Sequence, residues 1–258
     1  MNPFDNPFAA DDRALVTGAG NGIGRAIARA LVAAGVQTVF ADVNAEKVQH
    51  AVATCADPQS ATCWVGDLAQ PQECQRLLDD AQSRLGTITR FVHAAAPPRR
   101  EADHALAVDD ATWTRMRAVN LDAGFFLGRE IARGLIKAGR PGAMLYLTSL
   151  HAHTPRNLPH YSTAKAGLAM LVREFAKTFG AHGIRVNALV PGAIVAGGFV
   201  ADPALKRFVP LGRLGESDDL APMAIAVLSD RIAGYVSGAD IVVDGGLALT
   251  NWFEAPDI

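Results

Sequence analysis

The sequence has few cysteines, little net charge and no long apolar run. Three cysteines, Cys55, Cys63 and Cys74, occur among 258 residues, too few and too dispersed for a disulfide framework or a zinc knuckle. The net charge is -2, without a block of like charges, which argues against nucleic acid or an anionic membrane as a partner. With no apolar stretch of about 18 residues and no export signal, we expect a cytoplasmic protein that binds a small molecule.

Half of the residues are hydrophobic, and short β-rich runs alternate with longer helical patterns from end to end. This alternation predicts an α/β fold: a Rossmann-type, doubly wound parallel sheet of about seven strands with helices on both faces. We predict a single domain over residues 1–258. Within it, residues 1–12 are expected to form a flexible N-terminal tail. Residues 191–216, rich in Gly and Pro, are expected to form a substrate loop.

The expected elements follow from hydrophobic periodicity and turn residues. Predicted strands cover residues 14–17, 37–41, 61–65, 90–93, 143–148, 185–190 and 240–243. Predicted helices cover residues 23–34, 45–54, 71–85, 111–137, 161–179 and 218–228. Four glycines follow predicted helices where a left-handed cap residue is expected: Gly35, Gly86, Gly139 and Gly180.

A glycine-rich turn, residues 18–24, follows the first predicted strand and opens the first predicted helix. Without Cβ atoms, such a turn lets backbone amides approach a pyrophosphate, and the helix N-terminus adds positive potential. This context favours dinucleotide binding over a plain turn. Asp42 ends the second strand, where a carboxylate can bind both adenosine ribose hydroxyls and repel a 2′-phosphate. We therefore predict NAD rather than NADP, with a helix-capping role as the alternative for Asp42.

Tyr161 and Lys165 lie four residues apart in a predicted helix, which places both side chains on one face. A tyrosine in water loses its proton only near pH 10, but a nearby cation favours the phenolate. The pair therefore predicts proton transfer, with a solvated helix face as the alternative.

The spacing Thr-Gly-x-x-x-Gly-x-Gly of residues 17–24 resembles that of the short-chain dehydrogenase/reductase family. The resemblance covers nearly the whole chain and includes Asn120, Ser149, Tyr161, Lys165, Pro191-Gly192 and Val243-Asp244-Gly245-Gly246. It implies hydride transfer between an alcohol or carbonyl carbon and nicotinamide, which needs an acid/base and donors to the developing alkoxide.

The resemblance assigns each residue of the tetrad a role. Tyr161 would be the acid/base, and Ser149 would hold and polarise the substrate oxygen. Lys165 would stabilise the phenolate and bind the nicotinamide-ribose hydroxyls, and Asn120 would anchor a water relay to Lys165. Taken alone, each residue has an alternative interpretation: Ser149 could be the cap at a strand end, and Asn120 could be a buried polar residue of a helix.

The resemblance also implies cofactor contacts at Gly18, Asn21, Gly22, Ile23, Gly24, Asp42, Asp67, Leu68, Ala94, Ala95, Tyr161, Lys165, Pro191, Gly192 and Ile194. Asp67 would lie at the adenine ring, with a helix N-cap as the alternative. Many relatives carry Asn-Asn-Ala-Gly where this chain has His93-Ala94-Ala95-Ala96. Because this segment lines the ribose largely with backbone, we expect binding to survive the change.

Three histidines, His151, His153 and His160, lie between Ser149 and Tyr161. We predict that they hydrogen-bond a polyhydroxylated or acidic substrate. A metal is not expected, because no third ligand is visible. The pattern resembles bacterial glucose 1-dehydrogenases of the family and motivates a sugar or polyol substrate.

Two alternatives remain beside that substrate hypothesis. One is a 3-oxoacyl-thioester or ketone reductase of the same family. The other is a non-catalytic cofactor-binding protein, which the intact tetrad disfavours. Arg207 and Arg213 either bind an anionic substrate or are ordinary solvent-exposed arginines of the protein surface. The family resemblance further implies a homotetramer.

Overall fold

Parallel strands form the centre of the computed structural model, which describes residues 5–100, 102–196 and 203–249. They are β1 (Arg13–Thr17), β2 (Gln37–Asp42), β3 (Ala61–Val65), β4 (Arg90–His93), β5 (Gly142–Leu147), β6 (Ile184–Pro191), β7 (Ile194–Val195), β8 (Gly215–Glu216) and β9 (Asp240–Val243). Seven of them form one sheet in the order β3-β2-β1-β4-β5-β6-β9, every pair parallel. Strands β7 and β8 pair separately. The predicted doubly wound sheet is confirmed.

Eight helices cover this sheet in the described ranges. They are α1 (Gly22–Ala33), α2 (Ala45–Ala53), α3 (Pro71–Leu85), α4 (Asp110–Arg117), α5 (Ala123–Ala138), α6 (Pro159–Phe179), α7 (Ser217–Leu228) and α8 (Asp230–Ala233). Leu15 of β1 belongs to the apolar cluster under α3, α5 and α6, whereas its neighbours Ala14 and Val16 belong to the cluster under α1, α2 and α7. Alternate side chains thus fill two cores, as a sheet covered on both faces requires.

The strand order reverses at β1, which lies between β2 and β4. Connections from β1 and β4 therefore leave toward opposite faces and open a crevice at the carboxyl ends of the strands. The glycine turn follows β1 and the segment from Ala94 to Arg100 follows β4, so both border this crevice. Among the described helices, none is long and apolar enough to cross a bilayer.

The long predicted helix over residues 111–137 differs from the observed one. A π-helical turn, Ala118–Asp122, separates α4 from α5. The hydrophobic pattern continues through this turn, so periodicity alone did not reveal it. Gly139 is the left-handed cap residue that was predicted, and Gly35 and Gly86 also have positive φ angles, although the ψ of -140° takes Gly86 out of the left-handed helical region. The prediction for Gly180 is wrong, because its φ is -57° and the chain continues as a short 3₁₀ turn to Gly183, whose φ is 72°.

The N-terminal segment also differs from expectation over residues 5–12. Phe8 is buried, and the Ser229 hydroxyl donates to the Pro7 carbonyl at 2.6 Å. The buried Asp12 carboxylate lies 3.0 Å from Arg90 Nη2, which also pairs with Asp230 at 2.8 Å. A flexible tail therefore does not describe these residues, because buried ion pairs hold them to the amino ends of the strands.

The predicted substrate loop, residues 191–216, contains more regular structure than expected. It includes β7, a 3₁₀ helix over Pro203–Phe208, and β8, while residues 197–202 lie outside the described ranges. Two hydrogen bonds of 2.7 Å join Arg213 to the Asp219 carboxylate on α7. This pair supports the surface alternative for Arg213.

Removing the Asp12 carboxylate tests the buried ion pair. In Asp12→Ala, Arg90 loses one of its two carboxylates in a dry environment, and we expect a loss of about 3 kcal/mol in the free energy of unfolding. The matched control is Asp80→Ala, which breaks the exposed pair with Arg84 and is expected to cost less than about 1 kcal/mol. Urea unfolding followed by circular dichroism measures both; similar losses in the two variants would contradict the argument.

Candidate active site

The glycines of the turn are required both by its backbone angles and by close contacts with neighbouring backbone. Gly18 and Gly22 have φ angles of 69° and 53°, which L side chains rarely adopt. A Cβ on Gly18 would lie 2.8 Å from the Ala94 carbonyl, and one on Gly24 would lie 2.2 Å from the Gly18 oxygen. The turn therefore rests directly on α1 and on the segment after β4. Asn21 is the N-cap of α1 and accepts the Gly22 amide at 2.8 Å, which leaves the first turn of the helix facing the crevice.

The Asp42 carboxylate is held by backbone amides at the end of β2. Its Oδ2 accepts the Gly20 amide at 2.9 Å, and its Oδ1 accepts the Asn44 amide at 2.9 Å. A Cβ at Gly20 would lie 2.8 Å from Asp42 Cγ, so the glycine allows this approach. The N-cap of α2 is Asn44, so Asp42 is not the helix cap. The carboxylate is therefore held beside the glycine turn.

Asp67 has a protein partner that the sequence did not reveal. Arg115 of α4 donates to both of its oxygens, at 2.9 and 3.2 Å, and holds the pKa of this carboxyl below its usual range. The N-cap of α3 is Gln70 rather than Asp67, and the Asp67 side chain instead accepts the Ala69 amide. Leu68 is buried. The helix-cap alternative for Asp67 is therefore wrong, and an adenine contact would have to share the carboxylate with Arg115.

The remaining predicted cofactor residues border the crevice from the opposite side. Gly192 donates its amide to Val243, and a Cβ there would lie 2.6 Å from Asp244 Cα, so the end of β6 packs closely on the end of β9. Pro191 is the last residue of β6, and Ile194 is buried in β7. These residues lie where the chain passes from β6 into the predicted substrate loop.

Tyr161 and Lys165 lie in the first two turns of α6, and both are buried. Lys165 Nζ is 5.7 Å from the centre of the Tyr161 ring and donates to the Leu147 carbonyl at 2.7 Å. That bond ties the helix to the end of β5. Burial, with a contribution from the charge of Arg99, lowers the pKa of Lys165 to about 7. The ammonium is therefore sensitive to any further charge brought to the site.

Ser149 follows β5, two residues after Leu147, and is buried. Its Oγ accepts the His151 amide at 3.2 Å and caps a 3₁₀ turn, so the capping alternative describes this contact. The bond uses an acceptor site of the hydroxyl and leaves its hydrogen available to a substrate oxygen. Capping and substrate binding are therefore compatible.

Asn120 lies in the π-helical turn between α4 and α5 and is fully buried. Its Nδ2 donates to the Met116 carbonyl at 2.9 Å, and Met116 packs in a cluster with Tyr161. Its Oδ1 is buried without a hydrogen-bond partner among the described residues. Single π turns occur frequently at functional sites, because the wider turn redirects backbone groups.

His93 connects the cofactor side of the crevice with this turn. The Thr17 hydroxyl lies 3.0 Å from His93 Nδ1, and His93 Nε2 lies 3.1 Å from the carbonyl oxygens of both Val119 and Asn120. Because carbonyls only accept, Nε2 carries the hydrogen and Nδ1 accepts from Thr17. Burial and the charge of Lys165 lower the pKa of His93 to about 4, so the ring is neutral at neutral pH.

The three histidines after Ser149 have different surroundings. The His151 ring lies 6.1 Å from the Tyr161 ring, edge to face. The exposed His153 instead approaches Asp240 of the edge strand β9 at 3.4 Å, beside Arg173. His160 is 1% exposed and lies 3.8 Å from the Asp103 carboxylate. The structure thus brings His151 to Tyr161, whereas the surroundings of His153 and His160 argue against direct substrate contact.

Arg99 is the residue at this site that the sequence analysis missed. Its guanidinium carbon lies 4.5 Å from the centre of the Tyr161 ring. Only its position could have indicated it: Arg99 lies within ten residues of the end of β4, and the segment after this strand borders the crevice. Within the described ranges, no group of three or more acidic, histidine or cysteine side chains is arranged to hold a metal ion.

Comparison with known proteins agrees with this geometry. Residues 18–248 match a family model described as enoyl-(acyl carrier protein) reductase. Cis-4-hydroxycyclohexanecarboxylate dehydrogenase of Sinomonas cyclohexanicum is 36% identical over 245 residues, covering 92% of this chain and 96% of that protein. The (3R)-3-hydroxyacyl-CoA dehydrogenase of Mus musculus is 30% identical over 254 residues, covering 91% and 95%.

A solved structure gives the same result. The gluconate 5-dehydrogenase of Burkholderia cenocepacia J2315, in complex with NADP and tartrate, superposes with a TM-score of 0.86 at 30% identity, covering 96% of this chain and 99% of that one. The chain belongs to the short-chain dehydrogenase/reductase family. This short-chain dehydrogenase/reductase is therefore an NAD(P)-dependent oxidoreductase that acts on alcohols.

Replacing His93 tests the neutral imidazole. The unfolded chain binds a proton at this ring below about pH 6.5, whereas the folded enzyme resists protonation down to about pH 4, so stability falls as pH falls through this window. Between pH 7.5 and 4.5 we expect the wild type to lose about 3 kcal/mol more unfolding free energy than His93→Asn. Urea unfolding at each pH measures the difference. The exposed His50→Asn is the control and should follow the wild type; parallel profiles for His93→Asn would refute the assignment.

Proposed function

We propose that this enzyme transfers hydride reversibly between a secondary alcohol or its carbonyl and NAD, with Asn120, Ser149, Tyr161 and Lys165 as the catalytic residues. One observation carries the proposal: the buried Lys165, one turn after the buried Tyr161 on α6, bonds to the end of β5, which leads into the buried Ser149. The contacts that join them are the Lys165 bond to Leu147, two residues before Ser149, and the packing of His151 on Tyr161.

Tyr161, Ser149 and Lys165 each have a separate role in this reaction. The Tyr161 oxygen takes the hydroxyl proton during oxidation and returns it during reduction. Ser149 donates to the substrate oxygen, and its own orientation is fixed by the His151 amide. Lys165 has further N–H donors for ribose hydroxyls besides the one on Leu147. Nicotinamide, when bound, supplies the hydride donor or acceptor.

Asn120 and Lys165 are proposed to communicate through a water. The buried Asn120 Oδ1 is an acceptor without a protein partner in the described part of the chain, and such groups usually bind water. The π turn that carries Asn120 packs against α6. The arrangement supports a proton path that includes Tyr161, Lys165 and Asn120.

NAD is the preferred cofactor in this proposal. The Asp42 carboxylate is fixed by two amides at the ribose position, where it accepts hydrogen bonds from ribose hydroxyls and repels a 2′-phosphate. Val43 and Asn44 follow it without a positive charge. The remaining contacts are proposed at Gly18, Asn21, Gly22, Ile23, Gly24, Ala94, Ala95, Pro191, Gly192 and Ile194.

The proposed substrate is a sugar or polyol derivative. Support comes from relatives named as dehydrogenases of rhamnose, galactitol and threitol. A second candidate is a 3-hydroxyacyl thioester, since the mouse relative is named for that reaction. A panel of sugars, polyols and hydroxyacyl esters, assayed at 340 nm with NAD and NADP, separates the two.

The assembly proposed for this enzyme is a cytoplasmic homotetramer formed through α5 and α6. Large apolar side chains remain partly exposed on these helices, among them Ile136 and Met170. On α5, Leu127 is buried in the core and Phe125 packs partly against it, so these two residues offer little surface to a neighbouring subunit. Sedimentation or light scattering in solution decides the state.

The acid/base assignment is tested with Tyr161→Phe. This change removes only the ionisable oxygen, so we expect turnover to fall by at least about 10³-fold while NADH binding, measured by fluorescence, is retained. Tyr235→Phe is the matched control, because Tyr235 is fully exposed and should keep wild-type rates. Substantial turnover by Tyr161→Phe would rule out the proposed role.

Cofactor preference is tested at Asp42. In Asp42→Ala/Val43→Arg, the repulsive carboxylate is replaced by a nearby positive charge, and we expect kcat/KM to shift toward NADP by about 10²-fold or more. Val43→Arg alone keeps the carboxylate and should shift less. If the double variant kept the wild-type preference, Asp42 would not be the discriminating residue.

A further inference from the structure

We infer that Arg99 binds a carboxylate of the substrate, so that the alcohol oxidised at Tyr161 is a hydroxy acid. The inference rests on the proposed function, because it names the substrate class of the same site. It narrows the sugar and polyol hypothesis to molecules that carry an acid group close to the reacting hydroxyl.

The first support is the arrangement of cations around the Tyr161 ring. The Arg99 guanidinium lies 4.5 Å from the ring centre, Lys165 Nζ lies 5.7 Å from it, and the His151 ring lies 6.1 Å from it. Tyr161 itself is 8% exposed. An arginine, a titratable lysine and an imidazole therefore lie around the ring that carries the oxygen proposed to move the proton.

The second support is the electrostatic cost of this arrangement. Arg99 contributes to the low pKa of Lys165 and thus opposes the ammonium that the lysine needs for its role. A neutral polyol would leave the repulsion between the two cations in place. A bound anion offsets it and favours the charged lysine, so substrate binding itself would prepare the site.

The third support is that the segment carrying Arg99 is anchored without a ligand. The Asp103 carboxylate accepts the Arg100 amide at 3.3 Å and lies 3.8 Å from His160 Nε2 at the start of α6. Asp103 thus lies between the backbone next to Arg99 and the first turn of α6, the helix that carries Tyr161.

The chemistry of the side chain selects the ligand. A guanidinium presents a planar pair of donors that matches the two oxygens of a carboxylate. Because Arg99 contacts the ring of Tyr161, a carboxylate on Arg99 lies within a few bonds of a hydroxyl on the Tyr161 oxygen. A sugar acid or another short hydroxy acid satisfies both contacts at once.

The test compares acids with their neutral amides. Steady-state kcat/KM with NAD is measured for gluconate against gluconamide and for 3-hydroxybutyrate against 3-hydroxybutyramide, in the wild type and in three variants. Arg99→Met removes the cation, Arg99→Lys keeps the charge without the planar fork, and Arg100→Met is the matched control, because the neighbouring Arg100 is exposed.

For any acid and amide pair that the wild type oxidises, we expect kcat/KM to be higher for the acid than for the amide. Arg99→Met should lower the acid-to-amide ratio by about 10- to 100-fold, mainly through KM, and Arg99→Lys by an intermediate factor. Arg100→Met should keep the wild-type ratio. An unchanged ratio in Arg99→Met, or an equal loss in Arg100→Met, overturns the inference. A phosphorylated alcohol preferred over the acids, with that preference lost in Arg99→Met, overturns the carboxylate in favour of a phosphate.

A binding measurement separates this inference from the proposed function. Cyclohexanecarboxylate and its carboxamide, which cannot be oxidised at a hydroxyl, are titrated into the enzyme with NADH while the cofactor fluorescence is followed. Tighter binding of the acid that is lost in Arg99→Met supports the carboxylate site even if no alcohol is turned over, an outcome that would contradict the proposed function alone. Equal binding of acid and amide by the wild type overturns the inference.

Discussion

A chain of buried hydrogen bonds through one neutral imidazole holds the two sides of the active site together. The amides of Ala94 and Ala95 donate to the Thr17 hydroxyl, which donates to His93, which in turn donates to the carbonyls of the π turn. Each group in this chain has a fixed direction, so the segment after β4 and the turn that carries Asn120 cannot move independently. A positive charge on the ring would remove the acceptor that Thr17 uses.

Most of the sheet was predictable from sequence, and the reason is local. Strands such as Ala61–Val65 and Gly142–Leu147 are short, mainly apolar runs with turn residues beside them, so adjacent positions in the sequence indicate where they begin and end. The π turn was not predictable, because it inserts a residue without changing polarity. Docking of residues 5–12 was also missed, since it depends on Arg90 and Asp230, which lie far along the chain.

The candidate site likewise contains features that neighbouring residues determine and features that depend on distant parts of the chain. The glycine turn and the Tyr161–Lys165 pair depend on spacings of a few residues, and the structure brings them to one crevice. The surroundings of Asp67, His153 and Arg99 depend on partners between 48 and 87 residues away, which no local pattern encodes. The charge distribution around the phenol therefore emerged only from the folded chain, and the inference of an acidic substrate depends on it.

The π turn has a consequence for comparing this enzyme with its relatives. One additional residue per turn rotates everything downstream by about 100° relative to an uninterrupted α-helix. Side chains of α4 and α5 therefore follow two different angular phases, although the hydrophobic pattern reads as one helix. A graft that replaces α4, the π turn and α5 together with a continuous helix would turn the core-facing residues of α5 outward, whereas a graft that starts after Asp122 keeps their direction.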